Sequence, residues 1–195
     1  MRLASLTRAL AGAVLALPLL GAAPAAQAAP EPAAAGAATV RVLRYDASGA
    51  AEFLGVVDRG AQIWNASVTG VRLEPGRPAD FTVTADGGWP RAQVTGLGRG
   101  RIWMGRQAVR EGHDPTRIAA HEIGHILGLP DRRTGRCRDL MSGASAGAGC
   151  TNPYPNAREA GEVERTFEGA RSPAVRLLAD VVPAARGAAV RWSVR

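Results

Sequence analysis

Two of the chain's three histidines, His121 and His125, stand four residues apart with Glu122 between them. Four residues along a helix amount to about 400° of rotation, so both imidazoles leave one face and can meet at a single point. Neutral imidazole is a good zinc ligand. Glu122 points elsewhere, so it is poorly placed to ligate together with both histidines. It can instead reach a water held at the same point and take its proton. A catalytic zinc also needs a third protein ligand and an open position. The sequence offers Asp131 nearby, and Glu159 or Glu162 further on. Gly128 favours Asp131, because a glycine three residues after the second histidine can end the helix and turn the chain back toward the metal.

The elements that must position these side chains are legible around them. Asp114 suits a helix N-cap, Pro115 the first helical position and Gly128 the left-handed stop, which predicts a helix to about Leu127. Upstream, "TVRVLRY" (Thr39–Tyr45) alternates as a strand does. Between Ser48 and Val68, Phe53, Val56, Val57, Ile63 and Trp64 recur at helical spacing. "VRLEP" and "ADFTVTAD" predict two short strands, and "RIWMGRQAV" (Arg101–Val109) a further one. That last strand is the expected sheet edge, to which an extended peptide could add. Past a glycine-rich loop, "NAREAGEVERTFEGA" predicts a final helix capped by Asn156. The order predicts an α+β fold: one domain with a twisted mixed sheet, an active-site helix and a C-terminal helix.

A chain of 195 residues, 46% hydrophobic, can form one domain with a real core. Its net charge is +7 and every basic residue is arginine, but the arginines are scattered rather than striped, which argues against a nucleic-acid surface. Residues 1–28 read as a secretory signal peptide: Arg2 and Arg8, a short apolar run, then Ala26-Gln27-Ala28. The run is too short to span a membrane, and no later stretch is long enough. The expected protein is therefore secreted, monomeric and without a membrane partner. Residues 29–38 form an Ala/Pro-rich pro-segment or linker, 39–170 the folded domain, and 171–195 an Ala/Arg-rich tail with no assigned role. Cys137 and Cys150, an even pair in an exported chain, read as one disulfide closing a short loop. His113 reads as an exposed turn residue, and Asn65-Ala66-Ser67 matches a glycosylation acceptor weakly.

Taken whole, "HEIGHILGLPD" is the metzincin pattern with aspartate in place of the usual third histidine. From Thr39 to Ala170 the chain resembles the snapalysins, small secreted neutral metalloproteases. The likeness rests on "TVRVLRY", "AQIWNASVTGVRL", "HDPTRIAAHEIGHILGLPD", "LMSG" and "CTNPYPN". The resemblance implies a metzincin-like fold, zinc on His121, His125 and Asp131, and Glu122 as general base. It implies Met141 as the Met-turn beneath the metal and a Cys137–Cys150 bridge. It further implies calcium at Asp114 and Thr116, and cleavage before aromatic residues. The chain departs from the family at Arg133, where a tyrosine is usual; a guanidinium there can contact an oxyanion or lie in solvent. The expected function is a secreted zinc-dependent endopeptidase acting on extracellular proteins or peptides. Two alternatives stand beside it: a gluzincin-like protease with Glu159 or Glu162 as third ligand, and a catalytically inactive secreted zinc-binding module.

Overall fold

The computed structural model describes residues 39–171 and 189–191; the expected leader and linker, and most of the tail, lie outside them. Strand β1 (Arg41–Gly49) leads through a single 3-10 turn into helix α1 (Leu54–Ser67). Strands β2 (Val71–Pro75), β3 (Phe81–Asp86), β4 (Arg91–Gly96) and β5 (Arg99–Gly105) follow. Then come the short helix α2 (Arg106–Arg110), α3 (Pro115–Ile126), a 3-10 segment at Leu140–Ala146, α4 (Ala157–Arg171) and β6 (Ala189–Arg191). The sheet runs β2-β1-β3-β5-β4-β6. β1, β2, β3 and β5 are parallel, whereas β4 is antiparallel to both of its neighbours. This is the expected α+β, metzincin-like arrangement, with helices packed on a mixed sheet.

Three local expectations change. β5 is not an edge: β3 pairs with one side of it and β4 with the other, so both rows of its backbone groups are used. β4 itself, "RAQVTG", carries too little apolar alternation to stand out as a strand, and it is held by pairing rather than by its own propensity. The expected strand Arg101–Val109 also breaks after Gly105 and becomes α2. Gly105, at the break, lies against backbone; a Cβ would sit 2.2 Å from the Trp89 carbonyl carbon.

One apolar core lies between sheet and helices. Leu43, Phe81, Val83, Ile102 and Met104 face it from the strands, Val57 and Trp64 from α1, Ile118, Ile123 and Ile126 from α3, and Val163 and Phe167 from α4. α1 crosses α3 closely, because the small residues Gly60, Ala119 and Ala120 meet there. A Cβ on Gly60 would stand 3.1 Å from the Ala120 nitrogen. Trp64 Nε1 donates to the Ala120 carbonyl at 2.8 Å, so the largest core side chain is satisfied at its polar atom and anchors α3. His113 is buried rather than exposed, its ring edge-on to Trp89 at 5.9 Å. Asn65 exchanges two hydrogen bonds with the Leu73 backbone, which ties α1 to β2 and engages the side chain a glycan would need. Among the described residues no helix is long and apolar enough to cross a membrane.

Cys137 and Cys150 are bridged, with their Cα atoms 5.4 Å apart. The buried Arg117 of α3 draws the same loop inward, donating to the carbonyls of Cys137, Asp139 and Asn152. The bridge closes the loop that carries Leu140–Ala146. Constraining about fifteen residues is worth roughly 3 kcal/mol in the chain-entropy account. The double variant Cys137→Ser/Cys150→Ser is therefore expected to lower the urea midpoint by the equivalent of that amount. An unchanged midpoint would show that Arg117 holds the loop alone.

Candidate metal centre

α3 begins and ends as its sequence demands. Asp114 Oδ1 accepts from the Arg117 amide at 2.7 Å, and Pro115 fills the first helical position. At the other end Gly128 adopts φ +97°. Its amide bonds the His125 carbonyl at 3.0 Å, and the Leu129 amide bonds the Gly124 carbonyl at 3.0 Å. This paired closure is a Schellman motif, which reverses the chain after one turn. The Arg132 amide then bonds the Met141 carbonyl at 2.7 Å, so the returning segment is locked with Asp131 beneath the histidines.

The three side chains meet. His121 Nε2 lies 3.0 Å from His125 Nε2, and Asp131 Oδ1 lies 3.2 Å and 3.6 Å from the two nitrogens. Ligands held tetrahedrally at about 2.0–2.1 Å from one ion stand about 3.3 Å apart, so the spacing suits a single zinc-sized cation. Each imidazole is oriented from behind: His121 Nδ1 lies 3.0 Å from the Leu140 carbonyl and His125 Nδ1 2.8 Å from the Leu129 carbonyl. A proton on each Nδ1 leaves the Nε2 lone pair free to ligate. Burial pushes the His121 pKa down to about 4, which favours the neutral imidazole. Burial also opposes charge at His125, but the Asp131 hydrogen bond and the field of Glu122 outweigh it and raise that pKa. Burial works against the Asp131 charge as well, yet the two imidazoles hold its carboxyl well below the ordinary range. Asp131 Oδ2 faces Arg133 Nη2 at 3.7 Å; Arg133 itself is about half exposed and sits at φ +46°.

Glu122 is fully buried on the same helix, and neither of its carboxylate oxygens has a hydrogen-bond partner. Burial pushes its pKa up to about 8, against the fields of His125 and Arg91. An unpaired buried carboxyl is costly to keep unless the site uses it. Arg91, which opens β4, is fixed by an ion pair to Asp86 at 2.6 Å and by stacking 4.5 Å over the Trp103 ring. β4 packs against α3, the helix that carries Glu122.

Met141 is fully buried against α3, and its sulfur would be 2.7 Å from a Cβ on Gly124, the residue before His125. Gly143 adopts φ +59°, and a Cβ there would lie 3.2 Å from His121 Cε1 and 3.7 Å from Asp131 Oδ1. Both glycines make room for the site. Both fall inside the motifs, Gly124 in "HEIGH" and Gly143 in "LMSG", but their need for a missing side chain arises only from contacts made in the folded chain. Glu159 and Glu162 do not join the histidines. Glu159 accepts from the amides of Leu140 at 3.1 Å, Met141 at 2.8 Å and Asn156 at 2.8 Å, so it holds the methionine loop and completes a capping box with Asn156. Glu162 is paired with Arg132. Among the described residues, the one set of His, Cys, Asp or Glu side chains gathered closely enough to share a metal is His121, His125 and Asp131. Asp114 is not part of such a set, and its Oδ1 serves as the helix cap.

Comparison with known proteins matches residues 38–169 to the Streptomyces extracellular neutral proteinase (M7) family. The chain is 47% identical over 121 residues to the extracellular small neutral protease of Streptomyces caespitosus, which covers 61% of this chain and 91% of that one. It is 46% identical over 127 residues to the protein of the same name from Streptomyces sp. (strain C5), covering 63% of this chain and 55% of the relative. A third relative so named, from Streptomyces lividans, is 43% identical over 139 residues, 70% of this chain and 60% of its own length. The chain thus spans little more than half of the latter two.

Proposed function

This chain belongs to the Streptomyces extracellular neutral proteinase family, the snapalysins, and on that premise we propose that it is a secreted zinc endopeptidase acting on extracellular proteins. One observation carries the reading: His121 Nε2, His125 Nε2 and Asp131 Oδ1 converge beside the buried, unpartnered carboxyl of Glu122. Two imidazoles and a carboxylate at this spacing fit zinc. Zinc bound there supplies Lewis acidity for the scissile carbonyl and for the attacking water. The remaining work belongs to the chain. His121 and His125 keep their Nε2 lone pairs aimed by bonding backbone carbonyls through Nδ1. Glu122 takes a proton from the attacking water and gives it to the leaving nitrogen. Its raised affinity for a proton suits a group that must carry one between two steps.

The substrate adds to the outer side of β4, which packs against α3 and is held in the structure by β6, rather than to β5, both sides of which are paired within the sheet. Arg133 is better placed to hold Asp131 Oδ2 than to meet an oxyanion, since Asp131 is its nearest ionic partner. Residues 1–28 and the word "extracellular" in the relatives' names support export. The working unit in this reading is a monomer with neither nucleic acid nor membrane as partner.

The test is direct. Extensively dialysed mature protein is expected to hold one zinc per chain, and casein cleavage is expected to stop with a chelator and return with zinc. Folded protein with no zinc by elemental analysis would sink the assignment. Calcium at Asp114 and Thr116 rests on family resemblance alone, and the helix cap already accounts for Asp114. Zinc-loaded protein is therefore expected to melt at the same temperature with and without millimolar calcium. A rise of several degrees would restore the calcium site.

A further inference from the structure

Outside the metal centre, one contact joins the site to a part of the chain that the family does not cover. The family match ends at residue 169, yet Ala189–Arg191 pair antiparallel with β4, with Arg91 opposite Arg191, Ala92 opposite Val190 and Gln93 opposite Ala189. The β4 segment they cover begins at Arg91, and β4 packs against α3, the helix that carries His121, Glu122 and His125. Without β6, β4 would be the sheet edge, with a free row of backbone donors and acceptors at the site. An added strand satisfies those groups in the same way whether it comes from a substrate or from the chain itself.

We propose that β6 is a built-in competitor: Ala189–Arg191 occupy the β4 edge that an extended substrate must use. This inference rests on the endopeptidase reading for its purpose, but not for its test. Seventeen residues, 172–188, separate the end of α4 from β6. Even a modest fraction of their fully extended reach, at most about 3.3–3.6 Å per residue, spans a small domain. Pairing within one chain is intramolecular, so a strand of weak intrinsic affinity can still hold the edge. Such a competitor raises the apparent KM and leaves kcat unchanged, because it excludes substrate without altering the reacting groups.

The experiment compares the full chain, a chain ending at Arg171, and the full chain carrying Ala189→Pro/Val190→Pro. Successive strand amides point to opposite edges, so one of the two prolines must remove a donor aimed at β4. Two measurements are made in a Glu122→Gln background, where cleavage does not interfere. Hydrogen exchange at Arg91–Gln93 is expected to lose protection in both altered chains. The affinity for a fluorescent extended peptide is expected to rise about tenfold in both. With Glu122 intact, KM for that peptide is expected to fall by the same factor at constant kcat. Unchanged protection or unchanged peptide affinity on truncation would overturn the proposal. If affinity rises as expected but none of the three Glu122 proteins cleaves the peptide, the competitor stands and the endopeptidase reading fails.

Discussion

Glu122→Gln is expected to leave one zinc bound and to lower kcat/KM by a factor on the order of 10² or more. The carboxyl is fully buried without a hydrogen-bond partner, so a glutamine of nearly the same shape keeps the packing of α3 while losing the ability to take up a proton. Burial already favours the uncharged carboxyl near neutrality, so the melting temperature is expected to change little. Zinc is retained because His121, His125 and Asp131 are untouched. Stopped-assay kinetics together with metal analysis on the same preparation read both halves. If wild type binds zinc and cleaves no protein between about pH 6 and 9, and Glu122→Gln behaves identically, the protein is a zinc-binding module and the general-base role assigned to Glu122 falls.

Asp131→Ala is expected to weaken zinc by more than the 10–100-fold typical of groups that merely orient a ligand. It removes one of three donors, the only charged one, and the oxygen that lies 3.2 Å from His121 Nε2. Loss of activity should follow loss of metal and be partly recovered at high zinc, which separates it from the loss at Glu122. Glu159→Gln is the contrasting variant. It disturbs an acceptor for the buried amides of Leu140 and Met141 and should lower stability by about 1–3 kcal/mol. Its zinc content at saturating metal should nonetheless be normal. Zinc lost from Glu159→Gln or Glu162→Gln but kept at full affinity by Asp131→Ala would move the third ligand to α4 and support the gluzincin-like alternative.

The site was legible in the sequence because its logic is local. Two histidines four apart share a helix face whatever surrounds them, Asp114 and Pro115 start that helix, and Gly128 can stop it in the left-handed conformation that Leu or Ile would resist. The cap at Asn156 and the strand at Thr39–Tyr45 were readable for the same reason: each is decided within a few residues. Strand order was not, because pairing is chosen by distant partners. "RIWMGRQAV" carries nothing in its own residues to say that β3 and β4 would enclose it, and "RAQVTG" reads as polar loop until β5 supplies its hydrogen bonds. His113 looked exposed because the sequence around it does not mention Trp89, the ring that covers it. Glu159 reads in the sequence as an alternative third ligand, and only the fold commits its carboxylate to the Leu140 and Met141 amides. Gly124 and Gly143 acquire their necessity from Met141 and His121, which approach only in the folded chain. The tail is the extreme case: three residues with little local signal form a strand because β4 has an unfilled edge. Helix periodicity and caps are properties of neighbouring residues, whereas edges, burial and carboxylate partners are properties of pairs far apart in the chain, and those the tertiary structure alone decided.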